Sequence, residues 1–220
     1  MRDSYHEELD DINACLVGMA NAVGSQMSTA TTALLDADVE LADRVIAGDE
    51  AIDATRESIE QRTFTLLARQ QPVAGDLRTI TTAMRIVSDL ERMGDLAAHI
   101  AKVARMRFPD HAVPQEVRPS FLEAGNVAEL LITKTATVIA KSDVAAAEEL
   151  ETDDDAMDRI HSGLFRQLLS DEWPHGIESA IDITLLGRYY ERFADHAVSV
   201  ARRVRYLVTG ERYVTEVTTQ

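Results

Sequence analysis

Residues 188 to 210, RYYERFADHAVSVARRVRYLVTG, are answered about a hundred positions earlier by DLERMGDLAAHIAKVARMR, residues 89 to 107. Both read as helix, and both place carboxylates where a packed helix should be apolar. Leu77, Ile80, Met84, Val87, Glu91, Gly94, Ala98 and Ala101 alternate steps of three and four, the spacing of a single helix face. Glu91 therefore lies on the seam itself, with Asp95 one turn further on, and Glu191 and Asp195 repeat the pair.

The repeat extends over the whole chain. At the acid-bearing helices the offset is 100; across the preceding helices it is 105, carrying Asn21 to Asn126, Asp49 to Asp154 and Asp53 to Asp158. Offsets held over several elements point to one supersecondary unit present twice. Three of the five prolines, Pro109, Pro114 and Pro119, fall in FPDHAVPQEVRP, which no helix crosses intact. Pro72 and Pro174 each mark a turn inside one half. The pattern predicts six helices, over about 4 to 36, 38 to 70, 75 to 106, 118 to 141, 143 to 170 and 176 to 208.

The expected fold is all-α: two tandem antiparallel three-helix bundles related by a pseudo-twofold axis. The first occupies residues 1–108, a proline-rich linker 109–117, the second 118–210 and a mobile C-terminal tail 211–220. Composition agrees, with 45% hydrophobic residues and few aromatics, glycines or prolines.

In the second helix Val45, Asp49, Ile52, Ile59 and Leu66 trace the inward face, and Leu150, Asp154, Met157, Leu164 and Leu168 repeat it. Again an acid interrupts the apolar series. Pro72 lies 19 residues after Asp53 and 19 before Glu91; Pro174 lies 16 after Asp158 and 17 before Glu191. Helices folded back at the prolines bring Asp53 level with Glu91 and Asp49 level with Asp95, so that four acids converge in each half. A single acidic pair on a helix is ordinarily solvated charge. Four pairs on seam positions, symmetric about two turns, call for positive charge between them, because crowded carboxylates raise one another's pKa. Arg92 and Arg192 follow the seam glutamates directly and are turned about 100° away, which makes them poor partners. Oxygen-only donors favour hard cations such as Fe, Mn, Mg or Ca over zinc, and bridging carboxylates admit more than one ion. The expected metal ligands are Asp49, Asp53, Glu91 and Asp95 in the first half, and Asp154, Asp158, Glu191 and Asp195 in the second.

The net charge of −16 argues against nucleic acid and anionic membrane as general partners. No run approaches the roughly 20 apolar residues of a membrane span. The polar start MRDSYHEELDDI is unlike a signal peptide, and the one cysteine, Cys15, reads as a small core residue in a reducing compartment, so a cytoplasmic location is expected. His196 reads as a surface or interface residue. The basic clusters Lys102, Arg105, Arg107 and Arg202, Arg203, Arg205 read as cations placed at helix C-termini, with Gly210 as a cap. Trp173 reads as packing in the turn.

With these residues assembled, the chain resembles the PhoU family of phosphate-transport accessory proteins over nearly its whole length. The likeness rests on RVIAGDEAID (44 to 53), ARQQPVAGDLRTI (68 to 80), LERMGD (90 to 95) and YERFADHAVSVARRVRYLVTG (190 to 210). Glu91, Asp95, Glu191 and Asp195 match the family's doubled acidic signature, and the second-helix acids its companion motif. Ala194 stands where the family usually has glycine, as at Gly94.

The resemblance implies a cytoplasmic, non-enzymatic negative regulator of the phosphate-starvation response, often dimeric. It would link the Pst phosphate ABC transporter and its ATPase to a sensor histidine kinase, and carry divalent or trivalent metal, in some members multinuclear, at these acids. Two rivals compete with it. A carboxylate-bridged oxidase or hydrolase would need a substrate pocket, and the chain shows no Gly-rich phosphate loop, nucleophile motif or Glu-x-x-His ligand set. A metal-free helical adaptor would bind partners through its surface alone.

Overall fold

The computed structural model describes residues 2–70, 72, 74–170 and 173–211. The expected tail lies, from residue 212 onward, outside the described residues. Six helices run in order: α1 Arg2–Asp36, α2 Val39–Gln70, α3 Gly75–Arg107, α4 Arg118–Lys141, α5 Val144–Leu168 and α6 Gly176–Thr209. Within each half the three helices contact one another, and the halves join through α1 against α4 and α3 against α6. The result is two tandem antiparallel three-helix bundles sharing one continuous core.

The duplication survives in details that side-chain identity alone does not reveal. Ala37 and Ser142, 105 positions apart, both adopt left-handed backbone conformations, at φ 52° and 51°. The aspartates that follow them cap the next helix: the Asp38 carboxylate accepts from the Leu41 amide at 2.9 Å, and that of Asp143 from the Ala146 amide at 3.1 Å. A short acid at this position satisfies one of the backbone donors left open in the first turn. Gly210, at φ 75°, closes α6 by donating its amide to the Tyr206 carbonyl at 2.9 Å.

Periodicity locates the buried faces well. Val45, Ile52, Ile59 and Leu66 are buried on α2, as are Leu150, Met157 and Leu164 on α5. On α3, Ile80, Val87, Gly94, Ala98 and Ala101 are buried, but Leu77, at the start of the seam, is exposed.

α3 and α6 are buried more broadly than a single stripe requires, since each packs against a helix of the other half as well as its own two. The linker carries Ala112, Val113 and Val117 into the core, with Pro119 in the first turn of α4. Trp173 packs against the core edge and donates its indole N–H to the Gly176 carbonyl at 3.1 Å, as expected of a turn residue. Cys15 is half-buried, with the Arg62 guanidinium 3.3 Å from its sulfur.

Candidate functional site

The acids lie where α2 meets α3 and where α5 meets α6. Glu91, Asp95 and Asp49 are half-buried in the first half, and Glu191 and Asp154 in the second; Asp53, Asp158 and Asp195 are exposed. Antiparallel pairing at the turns brings each set within electrostatic reach. Burial, then the charges of Asp95 and Asp53, pushes the Asp49 carboxyl above its ordinary value, against the pull of Lys102 and His99. Burial and Asp95 likewise raise Glu91, opposed by Arg92 and Arg56. In the second half burial, followed by Asp158, Asp195 and Glu191, pushes Asp154 up to about 6. Glu191 is raised by burial and Asp195, and held back by Arg188 and His161. Asp49 and Glu91 thus feel the charges of Asp95 and Asp53, and Asp154 those of Asp158, Asp195 and Glu191.

The positive charge comes from side chains that spacing misjudges. Arg92 is not turned away: its guanidinium reaches back to Asp95 at 3.0 Å and to Glu91 at 3.5 Å. An arginine's long stem reaches across the roughly 100° that separate adjacent helical positions, and backbone geometry alone does not show it. In the second half the counter-charge is Arg188, three residues before Glu191 and hydrogen-bonded to it. Arg56 stands at the first site and His161, its equivalent 105 residues on, at the second. Both lie seven residues beyond an acid, a spacing that returns to the same helix face.

Glycine at position 94 sets the approach of α3 to α2. A β-carbon there would stand 3.2 Å from Cγ2 of Ile52 and 3.7 Å from an Asp49 carboxylate oxygen. The second half accommodates a fully buried methyl group at Ala194. The Gln26 side chain of α1 also reaches this level, its buried carbonyl oxygen without a hydrogen-bond partner and 3.7 Å from the same point.

Among the described residues, no three Asp, Glu, His or Cys side chains are drawn together closely enough to hold one ion. In donor chemistry the acids nonetheless suit a hard cation. They are oxygen-only, the carboxyls of Asp49, Glu91, Asp154 and Glu191 are half-buried and raised in pKa by burial and neighbouring acids, and arginine offsets part of the charge.

Arg105 and Arg107 lie in the last turn of α3, as expected of cations at a helix C-terminus, while the second basic cluster does not end its helix. His196 faces Asp89 across the boundary between the halves, its Nδ1 3.1 Å from the carboxylate, and Arg203 donates to the other oxygen. Burial raises the Asp89 carboxyl, but these two hydrogen bonds prevail and hold it below its ordinary value. His99 is exposed, with its ring 5.3 Å from that of Tyr189. Arg202, Arg203 and Arg205 lie more than a turn before the end of α6, so the helix-terminus account fails for them. They pair with Glu151, Asp89 and Glu148, and Arg105 and Arg107 pair with Asp43 and with Asp182 and Glu178. These arginines act as ties between helices.

The PhoU domain matches residues 16–104 and again 121–204, one copy per half. The chain belongs to the PhoU family. Among its relatives, the "Phosphate-specific transport system accessory protein PhoU homolog 2" of Mycobacterium tuberculosis is 48% identical over 210 residues, spanning 96% of this chain and 99% of that protein. The crystal structure of PhoU from Pseudomonas aeruginosa superposes with a TM-score of 0.88 at 31% identity, covering 94% of this chain and all of that one. That of the phosphate transport system regulatory protein PhoU from Streptococcus pneumoniae gives 0.86 at 26% identity, covering 96% and 99%. Family membership thus rests on both sequence and fold, over both halves. No described helix of this PhoU-family chain is long and apolar enough to cross a membrane.

Proposed function

We propose that this PhoU-family protein is a cytoplasmic negative regulator of phosphate uptake and phosphate-starvation signalling, acting by protein contacts rather than turnover. Its partners are the ATPase of the Pst phosphate transporter and a phosphate-sensing histidine kinase, and its working form is a homodimer. The observation that carries this reading is similarity over nearly the whole chain to proteins named as phosphate-specific transport accessory proteins, together with the two acidic sets of this sequence.

In this reading the acids are ligands, not general bases. Asp49, Asp53, Glu91 and Asp95 hold cation in the first bundle, and Asp154, Asp158, Glu191 and Asp195 in the second. A bound hard cation such as Fe, Mn or Mg, singly or as a small cluster, supplies the positive charge that ties α2 to α3 and α5 to α6. Arg92 and Arg188 pair with the same carboxylates, and a bound cation would supply the neutralisation they now give.

Capture of the transporter ATPase and the kinase on the tagged chain, from cells grown at high and at low phosphate, tests the regulatory reading. Recovery of both partners in at least one condition is expected, and recovery of neither in both conditions overturns it.

A further inference from the structure

Where α3 crosses α6 the surface opens into a groove of about 510 Å³. α3 lines it with Thr81, Thr82 and Arg85, and α6 with Ser199, Arg202 and Arg203. Tyr206 closes one end, with the Arg78 guanidinium 5.9 Å above its ring. No carboxylate lines the groove, in a chain with 38 acidic residues against 22 lysines and arginines. Arg85 is exposed and makes no ion pair among the described residues. Arg203 gives its Nε to Asp89 and Arg202 its Nε to Glu151, which fixes both guanidinium groups and offsets two of the three charges. The net positive charge of the groove therefore rests on Arg85, with Arg78 beside its end.

The pseudo-twofold supplies an internal control. At the related crossing, Arg78, Thr81, Thr82 and Arg85 are replaced by Glu178, Ile181, Asp182 and Leu185, and Ser199, Arg203 and Tyr206 by His99, Val103 and Met106, while Arg202 alone keeps a cation, as Lys102. Apart from Lys102, that face exchanges its arginines and hydroxyl groups for acids and apolar side chains, and its acids are taken up by Arg107. The basic, hydroxyl-rich groove is thus a property of one crossing and not a by-product of the duplicated fold.

We infer that the groove between α3 and α6 is an oxyanion site for phosphate, free or as the phosphoryl group of a larger molecule. Arginine presents planar pairs of donors that match tetrahedral oxyanions, and hydroxyl groups on Thr82, Ser199 and Tyr206 serve the remaining oxygens. The site is separate from the acidic sets and does not depend on metal.

Calorimetric titration of the full chain, stripped with chelator and held at constant ionic strength with chloride, tests the inference. The probes are inorganic phosphate, sulfate as competitor, and phenyl phosphate as an ester. Saturable binding is expected, weakened at least tenfold by Arg85→Gln and by Ser199→Ala, and unchanged by Arg105→Gln at the remote pair with Asp43. Free phosphate binding more tightly than the ester identifies a soluble anion as the ligand, and the reverse identifies a phosphorylated molecule. Absence of saturable binding by every probe, or equal binding by wild type and Arg85→Gln with both chains folded by circular dichroism, overturns it. Because the protein is metal-free throughout, a negative result leaves the acidic-site reading untouched.

Discussion

Thr31 and Tyr190, 159 residues apart, share a hydrogen bond of 2.7 Å in the buried boundary between the two halves. Among the described residues Tyr190 is the largest fully buried side chain, packed on Phe121 with ring centroids 5.9 Å apart. Burial pushes its hydroxyl pKa well above the ordinary value, so it serves only as a neutral hydrogen-bonding group. Tyr190→Phe keeps the ring and loses one buried hydrogen bond, while Thr31 retains its bond to the Met27 carbonyl. The expected loss in a urea unfolding curve is about 1 kcal/mol, with the slope unchanged.

Close packing beside this bond gives a stronger test. A β-carbon at Gly125 would lie 2.6 Å from Cγ2 of Thr31, inside van der Waals contact. Gly125→Ala must push α4 away from α1 or turn Thr31 away from Tyr190. Despite the better helix propensity of alanine, destabilisation of about 1 to 3 kcal/mol is expected in the same unfolding assay.

The Asp89 cluster should couple the halves. Asp89→Ala leaves Arg203 and His196 without their shared acceptor at a side chain that is 9% exposed. Both cations retain some access to solvent, so a loss of about 2 kcal/mol at neutral pH is expected, below that of a fully buried pair. The folded pKa of Asp89 is depressed, so its contribution is present above the ordinary value of 3.8 and disappears as pH falls through the folded value. Wild type and variant should therefore converge in stability in strong acid.

Asp154 has the opposite sign. Its folded pKa, about 6, lies above the ordinary 3.8, so the folded state binds the extra proton between those values. In chelated protein this group makes stability fall as pH rises from about 4 to about 6. Asp154→Asn should remove that slope and stabilise the metal-free chain at pH 7 by about 1 to 2 kcal/mol after allowance for solvent screening. Thermal melts across pH 4 to 7, as a rough range around the two values, give the comparison.

Metal content separates the ligand reading from ordinary surface charge. Protein purified without chelator should carry metal by elemental analysis, and the double variant Glu91→Gln with Glu191→Gln should lose most of it. Chelation of wild type should lower its melting temperature, since a ligand bound only by the native state stabilises it. Equal metal content in the two proteins would sink the ligand assignment.

Much of this molecule is legible in the sequence because its information is local. Apolar spacing and the prolines locate all six helices to within a few residues, and counting from Pro72 and Pro174 sets the acids of α2 and α5 within electrostatic reach of those on α3 and α6. What the sequence conceals depends on reach and on crossing. Arg92 lies off the face of Glu91 by backbone geometry, yet its flexible stem folds back to pair with it. Asp89, His196 and Arg203 meet only because α3 crosses α6, and periodicity shows which face is apolar without showing what it meets. Arg56, Arg188 and His161 were readable, at spacings of three and seven from an acid, but draw attention only once the acids have been placed.

The Asp89–His196–Arg203 cluster has a further consequence for recognition. Its counterpart under the repeat is Tyr189 with Leu96 and Val103, which makes no such cluster. A body of two interchangeable halves could be approached equally well in either of two orientations. The two crossings carry different charges, Asp89 with His196 and Arg203 at one and Arg107 with Asp182 and Glu178 at the other, and that difference gives the body a front and a back.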